Sequence, residues 1–267
     1  MLDSFLSYVF SSQWRVLPVC LVLLIAATEL SYHCGLRLHL SKDEARKGQI
    51  GGIQGAILGL LALLLGFTFA LAVQRYETRR TLVVEEANAI GTTYLRAALL
   101  PPSHQSAVED LCRRYVEMRL NYYDAGQDPE KLDAAEEGGA LIQRDLWTHA
   151  VAAAGEAPNP ITATFITTLN ELIDLDATRL NALRTHVPGA VWIILLAVAA
   201  SGCYVSGYAS GASGARSTFS SFVLPVLIAL VISLISDIDR PRGGLISIKQ
   251  QPMIDLQNSI APAAPQS

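Results

Sequence analysis

The sequence predicts an all-α membrane protein: four transmembrane helices, with a cytoplasmic helical domain inserted between the second and the third. Three observations carry that prediction. The 267 residues are 51% apolar and only 16% charged, with a mean hydropathy of +0.33, whereas an average soluble domain is about a quarter charged. Of the 44 Asp, Glu, Lys and Arg residues, 28 lie between Arg75 and Arg184, which leaves two apolar flanks. Each flank holds two segments of the roughly 20 apolar residues a helix needs to cross about 30 Å of hydrocarbon.

The first span runs from about Trp14 to Tyr32 and the second from about Ile50 to Val73, the latter 24 residues without a charge. The third covers Val187–Tyr208. The fourth, Phe219–Ile235, is short and contains Pro225, which spanning helices tolerate when neighbours re-satisfy the backbone. The expected organisation is thus two spans within 1–73, a helical domain over 74–186, two spans within 187–236, and a cytoplasmic tail over 237–267 with a disordered end (APAAPQS). Arg15 before an apolar core and Ala26-Ala27 behind it mimic a signal peptide. Glu29 and Tyr32 follow at once, however, so the segment reads as a retained span.

Lys and Arg near span ends set orientation. An inside N-terminus places Arg15, Arg75, Arg79, Arg80, Arg179, Arg184, Arg240, Arg242 and Lys249 inside, against Arg37, Lys42, Arg46, Lys47 and Arg216 outside. That balance puts both termini and the middle domain in the cytoplasm of a cell with the protein in its inner membrane.

The middle domain divides into helices at its punctuation. Pro101-Pro102 ends one, and Ser106 with Glu109 has capping-box spacing for the next. Asp128-Pro129 and Asn159-Pro160 have the N-cap-plus-proline form of helix starts, and Gly138-Gly139 is expected to interrupt the third piece. Apolar stripes recur at helical spacing: Val83, Ala87, Ile90, Tyr94; then Val108, Leu111, Tyr115, Met118, Tyr122; then Phe165, Leu169, Leu172, Asp176, Leu180, Leu183. No run alternates as a strand does. The first helix follows span two without a break and the last is expected to run into span three through Pro188. Long helices leaving and re-entering the membrane, with two shorter ones between, give a pair of antiparallel hairpins.

Three motifs in order are specific: Arg75-Tyr76-Glu77-x-Arg79-Arg80, Glu85-Glu86-Ala87-Asn88-Ala89-Ile90-Gly91, and Asp237-Ile238-Asp239-Arg240-Pro241-x-x-Gly244. Together they resemble a bacterial membrane family of unknown function known as bestrophin-like domain proteins, over nearly the whole chain. The resemblance implies a bestrophin-like architecture. It also implies a homo-oligomeric anion channel, because bestrophins proper are pentameric anion channels with four spans per subunit and a helical cytosolic domain. Leu65-Gly66-Phe67 and Arg75-Tyr76 are similar to elements of the bestrophin pore helix, a register that would make Gly59, Leu63 and Phe67 the pore-facing neck. Three departures stand out. The proline expected near Leu60 is absent, glycine (Gly59) replaces the first bulky neck residue, and the acidic run after the fourth span is reduced to Asp237 and Asp239, which does not support a calcium gate.

Several residues carry both a plain and a sharper reading. Gly48, Gly51, Gly52, Gly55 and Gly59, continued by Gly66, let helix backbones approach closely in lipid, either within the chain or around an oligomer axis. Gln54, the one strongly polar side chain of span two, is suited to bonding a neighbouring helix or to touching permeating ions. Leu63 and Phe67, one turn apart, could form an apolar gate that dewets. Glu29 and His33, on one helix face with Arg37, suit an interfacial pair, a proton or ion sensor, or a metal site. Of Glu85 and Glu86, which point about 100° apart, one is expected to pair across the domain while the other is solvated. The Asp237–Pro241 motif reads as a turn closing span four, with a possible role in docking the tail.

Cys20, Cys34, Cys112 and Cys203 form neither a CxxC nor a metal-ligand spacing with the five histidines. No GxSxG, Walker, HExxH or Rossmann fingerprint is present, which argues against an enzyme, and no cofactor or metal is expected. A net charge of −4 without a basic stripe speaks against nucleic acid. The expected partners are the lipid bilayer, further copies of the chain, and anions. A second reading is a non-conducting membrane scaffold or sensor whose helical domain binds a cytoplasmic partner.

Overall fold

The computed structural model describes residues 13–38, 44–126, 128–214, 216, 219–240, 242 and 244–262. Among these, the regular elements are helical: α1 (Gln13–Leu38), α2 (Glu44–Ala97), α3 (Pro102–Asp124), α4 (Pro129–Glu156), α5 (Pro160–Arg184), α6 (Gly189–Ala212), a π-helical turn (Phe219–Val223), α7 (Leu224–Ile238) and α8 (Gln251–Ser259). Among the described residues, four helical stretches are long and apolar enough to cross a membrane. The chain forms two compact units, one of residues 1–75, 186–240 and 244–246, the other of residues 76–185, 241–243 and 247–267.

In the first unit α1 and α6 pack along each other, and α7 packs on α1. The α1–α6 approach is at backbone distance. A Cβ at Gly207 would lie 2.3 Å from the Thr28 carbonyl oxygen, one at Gly211 would lie 2.2 Å from that of Tyr32, and one at Gly35 would lie 2.5 Å from that of Tyr208. Small residues are what allow helices to meet this closely where lipid supplies no hydrophobic drive. The buried hydroxyls of Thr28 and Ser31 are satisfied locally, on Leu24 O at 2.9 Å and Thr28 O at 2.8 Å. Pro225 stands in the first turn of α7, after the π-helical turn, where a missing N–H interrupts little.

Helix α2 is unbroken for 54 residues, about 80 Å at 1.5 Å per residue. It contains no proline, and it ends where Leu99 and Leu100 donate to Arg96 O and Ala97 O just ahead of Pro101. The division between the two units falls within it, at Arg75 and Tyr76.

The second unit is built on the predicted stripes. Val83, Ala87 and Ile90 of α2, Val108, Leu111, Tyr115 and Tyr122 of α3, and Phe165, Leu169 and Leu172 of α5 are all buried. The core is completed from the tail, where Met253 of α8 is fully buried, Leu256 packs against it, and Arg113 Nε donates to Ile260 O at 2.8 Å. Two helix starts have the predicted form. Asp128 accepts from Lys131 N, and Asn159 accepts from Ile161 N and Thr162 N at 2.9 and 3.0 Å.

Three local expectations are corrected. Helix α3 starts at Pro102, so Ser106 and Glu109 lie within the helix and form no capping box; proline at the first position already supplies the starting geometry. Gly138-Gly139 does not interrupt α4, which runs unbroken from Pro129 to Glu156. The glycines instead make room for α3: a Cβ on Gly138 would meet Met118 Cε at 2.6 Å. And α5 does not run into span three, because residues 185–188 are not helical and α6 begins after Pro188. Proline disfavours helical geometry in the residue before it. Pro241, and residues 263–267 of the predicted disordered end, lie outside the described residues.

Candidate functional site

The span-two face named by the sequence lies on the outside of its unit. Leu63 is 54% exposed and Phe67 62%. Among the described residues, nothing outside the helix's own backbone comes within 4 Å of a Cβ built on Gly48, Gly51, Gly52, Gly55, Gly59 or Gly66. Among the described residues, these glycines make no close contact with another helix of the chain. The close glycine contacts belong to α1 and α6, and their signal was legible as Gly207-x-x-x-Gly211. Gln54 points elsewhere: its Nε2 donates to Ser206 Oγ of α6 at 3.3 Å, an interhelical bond. Nearby, Leu58 and Ile57 of α2 lie against Gly202 of α6.

Glu29 pairs with Arg216 rather than His33, and the Arg216 guanidinium also lies 5.5 Å from the centre of the Tyr32 ring. His33 is exposed and meets Tyr32 edge-on, 5.8 Å between centroids. A side chain four residues away on the same helix loses here to an arginine that reaches in from a neighbouring segment.

The aspartates after span four fasten backbone. Buried Asp237 accepts from Leu245 N at 3.0 Å and Ile246 N at 2.9 Å. A Cβ on Gly244 would lie 2.3 Å from Asp237 Oδ1, so the motif's glycine is required for that approach. Asp239 accepts from Val187 N at 2.9 Å, just ahead of α6, with Arg75 Nη1 and His186 Nδ1 each 3.7 Å from its carboxylate. One side chain thus meets the ends of spans two and four and the entry to span three. Burial lowers the Arg240 pKa, with Asp239 and Asp237 opposing that shift.

In the second unit, Glu86 is fully buried while Glu85 is exposed. Glu86 bridges two helices, through Arg119 Nε of α3 at 2.7 Å and through Arg179 Nη1 of α5. Arg119 Nη1 also meets Asp176 Oδ1 at 2.7 Å, and Gln143 Nε2 of α4 donates to Asp176 Oδ2 at 2.8 Å and to Tyr115 OH at 2.9 Å. Arg179 Nη2 donates to Gln250 Oε1 at 2.6 Å, which ties in the segment before α8. Burial, followed by repulsion from Arg242, lowers the Arg179 pKa to about 10. Burial likewise raises the Tyr115 hydroxyl and pushes the Cys112 thiol up to about 12. A narrow recess beside this cluster is lined by Arg79, Arg179, Arg242 and Tyr122, with Arg242 stacked 4.1 Å from the Tyr122 ring centre. Arg79 closes the end of α5, donating to Ala182 O at 3.0 Å and Thr185 O at 2.6 Å. Arg119 and Arg179 were missed in sequence. Their signal was position: Arg119 stands between Tyr115 and Tyr122 on an apolar stripe, and Arg179 follows Asp176 by three.

A multi-pass helical membrane chain with a second, helical unit is the class these features define. A model of the bestrophin-like domain matches residues 20–253, and the chain belongs to that family. The crystal structure of a bacterial bestrophin homologue from Klebsiella pneumoniae, phased with zinc, is 18% identical. The match covers 92% of this chain and 94% of that one with a TM-score of 0.60. Two mutated forms of the Klebsiella pneumoniae homologue match at 17% identity, 91% and 95% coverage and a TM-score of 0.58, and at 20% identity, 94% and 95% coverage and a TM-score of 0.56. At such identity the likeness establishes a common fold. Among curated proteins, none matches this chain.

Proposed function

We propose that the protein is a homo-oligomeric anion channel of the inner membrane, with α2 lining the pore and the helical unit in the cytoplasm. One observation carries the reading. Between Gly48 and Phe67, α2 keeps a face of glycines and large apolar side chains that no other helix of the chain covers among the described residues. Such a face suits copies of α2 gathered about an axis, with Leu63 and Phe67 as an apolar neck that gates by dewetting. Membership of the bestrophin-like family supports the same assembly. Within the span-two segment Ile50–Val73 there is no Lys or Arg, so selectivity in this reading comes from the apolar neck and from backbone or amide donors. The reading involves no catalysis.

The test is chloride flux into liposomes together with oligomeric state in detergent. A closed oligomer and chloride flux are expected, with conductance or rectification altered by Leu63→Ala and Phe67→Ala. A monomer or dimer without flux would leave the scaffold reading in its place, and flux indifferent to both substitutions would remove the neck assignment.

A further inference from the structure

Three arginines from separate parts of the second unit converge on the narrow recess beside the Glu86 network. Arg79 comes from α2, Arg179 from α5, and Arg242 from the segment ahead of α8. Tyr122, Tyr123 and Gln250 supply the other polar walls, and the rest of the lining is apolar. No Asp or Glu lines the recess among the described residues. The free space takes one body about the size of a water molecule.

The guanidiniums are held in place before any guest arrives. Arg79 and Arg179 are buried. The carbonyls of Ala182 and Thr185 fix Arg79, while Glu86 and Gln250 Oε1 fix Arg179. Arg242 is fixed by its stack on Tyr122, whose ring also has the Arg119 guanidinium 5.3 Å from its centre. Burial, and then the charge of Arg242, lowers the Arg179 pKa, so these two cations repel each other here. A guanidinium only donates hydrogen bonds. The polar walls offer little in return: Gln250 Oε1 already accepts from Arg179 Nη2 at 2.6 Å, and Tyr122 OH donates to Glu136 Oε1 at 3.0 Å. Water, with two hydrogens of its own to place, matches such walls poorly. A monatomic anion accepts from every side and offsets the repulsion between the arginines. Tetrahedral oxyanions such as phosphate and sulfate are larger than the space.

We propose that Arg79, Arg179 and Arg242 form a binding site for a single halide ion, chloride in the cell, inside the helical unit. The site lies within the second unit and stands whether or not α2 lines a pore. A bound ion ties α2 and α5 to the segment ahead of α8, so chloride stabilises the fold of this unit.

The experiment is thermal unfolding of the full chain in detergent, with chloride replacing gluconate at constant ionic strength. Chloride is expected to raise Tm by roughly 3–6 °C at tenfold excess over its Kd. Arg242→Gln should abolish that rise. Arg80→Gln, at an exposed arginine beside Glu77 and outside the recess, should keep it. No chloride-dependent rise in the unaltered chain, or an equal rise in Arg242→Gln, overturns the proposal. So does an Arg242-dependent rise that is larger with sulfate than with chloride. Crystals of the unaltered chain grown in bromide give a reading that does not depend on the folding of any variant. An anomalous peak against the three guanidiniums supports the site, and its absence overturns it. A peak without the chloride-dependent rise marks an adventitious ion only, and overturns it as well.

Discussion

Glu86 is the residue on which the second unit's charge network turns, and Glu86→Gln isolates its charge with little change in shape. The side chain is fully buried and holds two guanidiniums, those of Arg119 and Arg179. With charge centres about 4 Å apart and an effective dielectric near 20, each pair contributes about 4 kcal/mol of attraction. Removing the carboxylate charge also removes its own burial cost of several kcal/mol, so the two attractions are not lost in full. What remains is two arginines buried among helices, with Arg119 still paired to Asp176, a situation that costs about 3–5 kcal/mol. Thermal unfolding in detergent should show this as a Tm lowered by roughly 6–20 °C. Glu85→Gln, one residue away and exposed, should move stability by no more than about 0.5 kcal/mol. Combining Glu86→Gln with Arg179→Gln should cost less than the sum of the two, with a coupling of at least about 1 kcal/mol. If Glu86→Gln costs no more than Glu85→Gln, the network is decorative and the reasoning fails.

Gly244→Ala places a methyl 2.3 Å from Asp237 Oδ1, and two charge-assisted backbone bonds are strained or lost; a loss of about 2–4 kcal/mol by the same unfolding assay is expected. Gly207→Ala drives a methyl into the Thr28 carbonyl and should cost about 1–3 kcal/mol. Gly55→Ala meets nothing among the described residues and should leave monomer stability unchanged or improved while weakening self-association, as read by light scattering in detergent. The buried Cys112 thiol gives a pH signature. Its pKa is about 12 in the fold against 9.0 in the open chain, so its contribution is complete below pH 9 and is lost as pH climbs towards 12. Between pH 8 and 10 the unaltered chain should lose about 1.4 kcal/mol more than Cys112→Ala, followed as Tm against pH.

Much of this molecule was legible because its signals are local. Four apolar runs, Asp128-Pro129, Asn159-Pro160 and the stripe through Tyr115 each follow from residues within a turn or two of one another. The split fate of Glu85 and Glu86 was legible for the same reason: on a helix, neighbours diverge by about 100° and one of them meets the core. What escaped were interactions set by tertiary distance. Gly138-Gly139 looked like a break until Met118 occupied the space it leaves, and Glu29 looked paired with His33 until Arg216 arrived from far along the chain. His104 and His149, whose Nδ1 atoms lie 3.0 Å apart, are separated by 45 positions, and no spacing rule could have joined them.

The glycines sharpen what α2 is for. Each glycine in a helix interior costs about 1 kcal/mol relative to alanine, so Gly48, Gly51, Gly52, Gly55, Gly59 and Gly66 together give up roughly 6 kcal/mol of helix stability. Around α6 the same expense is recovered at once, because Gly207 and Gly211 let α1 approach to backbone distance. On α2 nothing within the chain recovers it among the described residues. Lipid cannot recover it either, since acyl chains pack as well on alanine or leucine as on glycine. A face made this thin, on a helix this long, is explained when something outside the chain comes close to it. Further copies of α2 around an axis satisfy that requirement, and they would leave Leu63 and Phe67, exposed in the single chain, as the residues that meet there.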